Sequence, residues 1–305
     1  MSLEAAASEW TVFGLTDVGR VRKNNEDHFA VTDLSTGDAG LEPAERRYLL
    51  GPPGLLLLVA DGMGGEASGE VASKICVTVV PLRLRDALQA AESLDDLTFV
   101  RALVGALADA NRAVFEKAQT SPLFYGMGTT ATAAGLFGSR LFVGQVGDSR
   151  AYLQRGPRLV QLTRDQTFLN YLADIGAPVP DDLESDSRRN ILTQAVGTSP
   201  ALDVKVTSVD LCRGDRILLC SDGLYSMVRA PELKALLIRP ASLTDTCRAL
   251  VKAANARGGN DNITVILAEG SGHGLPETGG EPQPQEFKLP APTPAGPSAN
   301  RPLRP

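Results

Sequence analysis

The chain has 305 residues, 43% of them hydrophobic, enough to bury a full core in one large domain or two small ones. Its formal net charge of -6 leaves no basic excess to neutralise phosphates, which excludes a general nucleic-acid or anionic-membrane binder. No apolar run approaches bilayer length, and the N-terminus MSLEAAASEW lacks the regions of a signal peptide, so a cytoplasmic protein without membrane insertion is expected.

In chain order, strand patterns come first at residues 9–16 and 27–32, around the charged segment DVGRVRKNNEDHF. Glu26 and Asp27 there are candidate ligands for a metal or its waters. Arg22, four residues before Glu26, offers a planar fork suited to a phosphate monoester. Taken alone, the segment reads equally as a charged turn between strands. Residues 34–54 read as a surface excursion. The apolar run LLLLVAD predicts a strand at 55–60 that ends on Asp61 and breaks into the glycines Gly62, Gly64 and Gly65. A helix is expected from about Glu66 to Val80, stopped by Pro81. Apolar residues recurring at three and four (Leu97, Val100, Leu103, Val104, Leu107, Val114, Phe115) predict a second long helix. Strands follow at 130–137, 141–146, 151–154, 204–209, 216–220 and 262–268, with a third helix near 243–256. Most strands are joined by short turns, which favours antiparallel pairing and an α+β class. Residues 1–270 read as one folded unit. From 271 to 305, Pro and Gly replace core formers and a disordered tail is expected.

Several chemistries drop out at once. Cys76, Cys212, Cys220 and Cys247 form no C-x-x-C pair, and none begins the C-x5-R loop of a thiolate phosphatase. Only two histidines exist, His28 and His273, and the second lies in the tail. Gly62, Gly64 and Ala67 fit a dinucleotide fingerprint, but no second parallel strand with a terminal acid follows, and no Gly-Lys-Ser/Thr completes a P-loop. A phosphate at this turn would meet Asp61, which repels it unless a cation intervenes.

The ending recurs. LLLLVAD closes on Asp61, LFVGQVGD on Asp148 and RILLCSD on Asp222, while Asp261 opens NITVILA. A single such aspartate is most often a turn or N-cap residue, but four on core strands point to a shared site. Carboxylates gathered at one rim repel unless they share protons or cations, and oxygen-only donors favour Mg2+ or Mn2+ over zinc.

With these motifs in view, the chain resembles the bacterial branch of the metal-dependent protein phosphatases of the 2C type. The resemblance runs through GRVRKNNEDHF, LLVADGMGG, GMGTTATAA, VGDSRAYL, LTRDQTFL, RRNILTQAVG, LLCSDGLY and GGNDNITVIL, in the family's order. It implies a four-layer α-β-β-α sandwich whose two central antiparallel sheets hold two metals at one edge. By motif, Asp61 would bridge the metals and the Gly62 carbonyl would bind the second. Asp222 and Asp261 would bind the first, with Glu26 and Asp27 reached directly or through waters. Asp148 would serve a third, weaker metal, Arg22 the substrate phosphate, and Asn262 would support Asp261. The implied reaction is hydrolysis of phosphoserine and phosphothreonine by a water bridging two Mn2+ or Mg2+ ions. Phosphorylated proteins made by a bacterial Ser/Thr kinase would be the substrates of a monomer.

The chain departs from that pattern in places. Met63 stands where eukaryotic members carry a histidine, leaving His28 the only histidine of the folded unit. Gln166 and Thr167 stand where His and Ser are frequent. Residues 165–198 match the bacterial flap, with Arg188 and Arg189 suited to a phosphorylated partner or simply solvated. Two alternatives come from other classes: a non-catalytic phosphoprotein-binding adaptor on the same fold, and a serine hydrolase using Ser149 of G-x-S-x-A.

Overall fold

The structure is a computed structural model and describes residues 8–40, 45–64, 68–179, 188, 190–277 and 279–290. In chain order, β1 (Ser8–Asp17), β2 (Asp27–Asp33), β3 (Ala39–Gly40), β4 (Arg46–Leu50) and β5 (Leu55–Met63) precede two long helices, α1 (Ser68–Gln89) and α2 (Asp96–Ala118). Next come β6 (Gly128–Thr129), β7 (Ala131–Phe137), β8 (Arg140–Val146), β9 (Arg150–Arg155), β10 (Arg158–Gln161) and the short α3 (Phe168–Asp174). The chain closes with β11 (Lys205–Asp210), β12 (Arg216–Cys220), α4 (Asp222–Tyr225), α5 (Ala230–Ile238), α6 (Leu243–Ala256), β13 (Ile263–Ser271) and β14 (Gln285–Glu286).

Two antiparallel sheets result. One runs β10-β9-β12-β13-β1-β4; the other runs β14-β11-β8-β7-β5-β2-β3, with β6 added to β5. Strand β5 shows why its sequence is apolar without alternation. Leu55, Leu57 and Val59 pack between the sheets with Trp10, Ile217 and Ile266, while Leu56, Leu58 and Ala60 pack against α1 and α2. A strand covered on both faces has no polar side to show. Behind the other sheet, Phe13, Leu218 and Val265 meet Leu233, Leu237 and Leu250 of α5 and α6. The expected four layers are present, with a core in each of the three spaces between them. Each fully buried leucine adds roughly 1.5–3 kcal/mol, so β5 is a stiff mount for whatever follows it.

Four expectations need correction. Helix α1 does not stop at Pro81 but runs through it to Gln89. An interior proline costs about 3 kcal/mol, and burial of Leu84 and Leu88 beyond it offsets that. The 34–54 segment is not wholly an excursion, because β4 pairs with β1 and Tyr48 lies opposite Trp10, buried. Strand β5 continues past Asp61 to Met63 by pairing with β6, and the turn begins at Gly64, whose φ is +125°. The boundary at 270 also moves. Leu275 is buried, Phe287 meets the Phe142 ring edge-on at 5.6 Å, and β14 pairs with β11, so the chain remains docked through residue 290 where it is described. A few apolar anchors in a Pro/Gly-rich stretch suffice for that. Gly65, Glu66, Ala67, Arg189 and the tail beyond 290 lie outside the described residues.

Candidate active site

Side chains alternate along a strand, so the face that Leu55, Leu57 and Val59 turn toward the second sheet is also the face of Asp61. On the neighbouring strand, Phe29 and Val31 face the same inter-sheet core, and Asp27 continues that series opposite Asp61 in the register. From the other sheet, Ser221 follows β12, Asp222 opens α4, and Asp261 and Asn262 lie just before β13. The inter-sheet core therefore ends, at one edge of the sandwich, in carboxylates contributed by both sheets.

Hydrogen bonds fix these residues. The Asp61 amide donates to Thr130 Oγ1 at 3.0 Å, and its carbonyl accepts from Thr130 N at 2.8 Å. Ser221 Oγ donates to Asp27 Oδ2 at 2.6 Å and accepts from Thr264 N at 3.0 Å, tying the two sheets together beneath the cleft. Arg22 Nη2 donates to Asp261 Oδ2 at 2.7 Å. Asn262 was expected to support Asp261 by hydrogen bonding, and it does so through its backbone. Its amide donates to Asp261 Oδ1 at 2.9 Å, and its side chain also holds the loop that carries Arg22 and Glu26 through Val18 O, Asn24 O and Glu26 N. Gly62 is required by crowding, since a Cβ there would lie 2.2 Å from Gly69 O and 2.7 Å from Glu26 O.

Arg22, Glu26, Asp61, Gly62, Asp148, Asp222 and Asp261 line one cleft of about 610 Å3. Asp27 lies buried directly behind it, with Oδ1 meeting no donor. Burial, then the fields of Asp27, Asp222, Asp148 and Asp261, push the Asp61 carboxyl well above its ordinary range. Burial and then Asp148 and Asp261 push Asp222 up to about 8. Asp148 goes up to about 6, from burial and then Asp165. Burial is also the chief cause for Asp27, pushed up to about 6.

Among the described residues no three of these groups already stand at the spacing of a closed metal cage. Like charges hold one another apart until protons or cations are shared. The donor set nonetheless fits hard cations: it is all oxygen, it is anchored on rigid elements, and it contains a buried carboxylate oxygen without a partner. A second hollow of about 340 Å3 beside α3 shares Asp148 and Asp222 and includes Asp165, Thr167 and Asn190.

Sequence reasoning missed several supports. Arg150 grips Asp165 through both carboxylate oxygens, at 2.9 and 2.6 Å, and lies 3.6 Å from the centroid of the Tyr225 ring. The Tyr225 hydroxyl donates to the Asp148 carbonyl at 3.1 Å. Gln166, one of the departures from the family pattern, accepts from Gly147 N at 2.8 Å and so holds the turn before Asp148. The only visible signal was a hydroxyl residue beside an aspartate in VGDSR and LCSD. Ser149 is wholly buried and hydrogen-bonded to Thr130 at 2.7 Å, which removes the serine-hydrolase alternative. His28 turns onto α1, its Nδ1 3.0 Å from Ser73 Oγ, and takes no part in the cleft.

Comparison with known proteins places the chain in a family. Residues 50–268 match the family model described as protein phosphatase 2C. The chain is 33% identical over 256 residues to the serine/threonine phosphatase stp of Listeria welshimeri, covering 83% of this chain and 93% of that protein. The solved Mycobacterium tuberculosis serine/threonine phosphatase PstP/Ppp superposes with a TM-score of 0.70 at 33% identity, covering 86% of this chain and 98% of the other. A PstP catalytic domain solved in complex with two manganese ions gives 0.68 at 31% identity, covering 87% and 99%.

Proposed function

Because this chain belongs to the protein phosphatase 2C family and is a serine/threonine phosphatase that uses divalent metal, we propose that the cleft between its sheets is where phosphoserine and phosphothreonine are hydrolysed. The observation that carries this is the meeting of Asp61 from one sheet with Asp222 and Asp261 from the other, beside Arg22. Asp61 and the Gly62 carbonyl, with Asp222 and Asp261, would hold two Mn2+ or Mg2+ ions, and Glu26 and Asp27 would act directly or through waters. Asp148 with Asp222 would hold a third. Such ions supply Lewis acidity and a nucleophile at neutral pH.

The chain's own residues do the rest. Arg22 is half exposed and bonded to Asp261, so its fork can exchange that carboxylate for two phosphoryl oxygens and hold phosphorus in line for attack. Asp27, Ser221 and Thr130 keep the ligands from relaxing outward. No covalent phosphoenzyme is required, since Ser149 is sealed in the core and all four cysteines are buried, the Cys76 and Cys220 thiols pushed up to about 12 by burial. The adaptor reading would suit a chain that had lost metal ligands, and this sequence keeps every expected carboxylate. We assign the substrates to phosphoproteins made by a bacterial serine/threonine kinase, met in the cytoplasm by a monomer. No described helix is long and apolar enough to cross a membrane.

The direct test is hydrolysis of an aryl phosphate and of a phosphothreonine peptide with Mn2+ or Mg2+, before and after chelation. Activity should vanish with EDTA and return with either ion; full turnover in EDTA overturns the assignment.

A further inference from the structure

At the opposite end of β2 from Asp27, a hollow of about 200 Å3 opens between the turn after β2 and the C-terminal half of α1. Val77, Pro81 and Leu82 form its apolar wall. Two polar groups face the hollow with nothing to bond. Thr32 is 2% exposed, and its Oγ1 meets no hydrogen-bond partner. Arg85 Nε is buried and likewise unpartnered, and among the described residues the guanidinium makes no ion pair. The adjacent carboxylate, Asp33, is taken up by the turn, where its Oδ1 accepts from Ser35 N at 2.8 Å and from Ser35 Oγ. The guanidinium is also held in place. Gly37, at φ +77°, brings backbone so close that a Cβ there would lie 2.1 Å from Arg85 Nη1.

A buried donor without an acceptor is costly, and an unmatched guanidinium beside it asks for an anion. The walls exclude a fully hydrated one. The size matches a ligand of roughly ten non-hydrogen atoms, since a cavity of about 150 Å3 takes up benzene. We infer that this hollow is a binding site for a small organic carboxylate with a compact apolar body. The carboxylate sits on Arg85 and Thr32, and the body rests on Val77, Pro81 and Leu82. The site lies outside the catalytic cleft and does not depend on the phosphatase reading.

The test uses the whole Mg2+-loaded chain and reads binding by calorimetry and amide chemical shifts, with benzoate as probe, benzamide as its neutral isostere and inorganic phosphate as the apolar-free anion. Benzoate should bind and shift the amides of Thr32, Gly37 and Val77. Benzamide on the wild type, and benzoate on Arg85→Gln, should each bind at least about tenfold more weakly. Arg85 is partly buried and makes no ion pair among the described residues, so its loss breaks no pairing in the fold, and the isostere comparison needs no variant at all. Equal binding of benzamide, phosphate shifting the amides of Thr32, Gly37 and Val77 at concentrations as low as benzoate does, benzoate shifts confined to Asp61 and Gly62, or no saturation by roughly 20 mM benzoate would each overturn the site.

Discussion

Strands β9 and β12 run side by side between two ends of the sandwich, and each end buries aspartate differently. At the end away from the cleft, Asp215 is fully buried. Arg155 grips it through Nε at 2.8 Å and Nη2 at 2.6 Å, and Cys212 N donates to it at 2.8 Å. At the cleft end, Asp27 is as deeply placed and Asp61 and Asp222 are partly buried, and the three face chiefly one another. One end has spent its charge on matching; the other holds it unmatched, and that surplus is what cations and a phosphoryl group can answer. Burial of a carboxylate therefore carries no single meaning in this fold. Its partner decides whether it serves stability or chemistry.

The sharpest way to break the contrast is Asp61→Asn, which keeps shape and removes the central charge. We expect kcat on an aryl phosphate to fall by about 10^3-fold or more, or over 4 kcal/mol, with no loss of stability to urea in EDTA. A variant with near wild-type turnover would remove Asp61 from the chemistry. The opposite end should respond the other way. Asp215→Ala leaves Arg155 buried with only backbone carbonyls of Asp210 and Gly280 for partners and should cost about 3–5 kcal/mol of stability in urea, with kcat intact at temperatures where the protein stays folded. A smaller loss would mean the pair is solvated, and the two ends would then differ less than the distances imply.

Arg22→Ala sharpens the comparison on the ligand side. It should lower kcat/KM for a phosphothreonine peptide by roughly 10- to 100-fold, or about 1.4–2.8 kcal/mol, while calorimetric Mn2+ binding is retained. Equal kcat/KM in the variant would assign the phosphate to other groups. The smallest effect tests the idea of surplus charge directly: Asp222→Asn should stabilise the protein in EDTA by about 1 kcal/mol, because one member of a mutually repelling set is gone. A loss of stability there would show that the set is already balanced.

Much of this was legible before any coordinates. The run ending on Asp61 is readable because a strand buried on both faces cannot hide a carboxylate, and Asp148, Asp222 and Asp261 repeat the pattern beside other core strands. The supports were not readable. Arg155 and Asp215, like Arg150 and Asp165, meet only through sheet pairing and leave no local trace. Helix α1 continues past Pro81 because tertiary burial of Leu84 and Leu88 overrides a local stop signal. Strand β4 reads as a surface segment because, in RRYLL, only Tyr48 is buried and Leu50 packs part-buried at the edge of the core.

The docked segment around β14 has a practical consequence. Strand β11 would otherwise be the outermost strand of its sheet, offering free amides and carbonyls to any passing chain. Residues 285–287 occupy that row, and Phe287 closes over Phe142. A chain cut back to residue 270 would still carry every proposed ligand, yet it would expose a sticky margin that invites edge-to-edge aggregation, so shortened versions should end no earlier than residue 290.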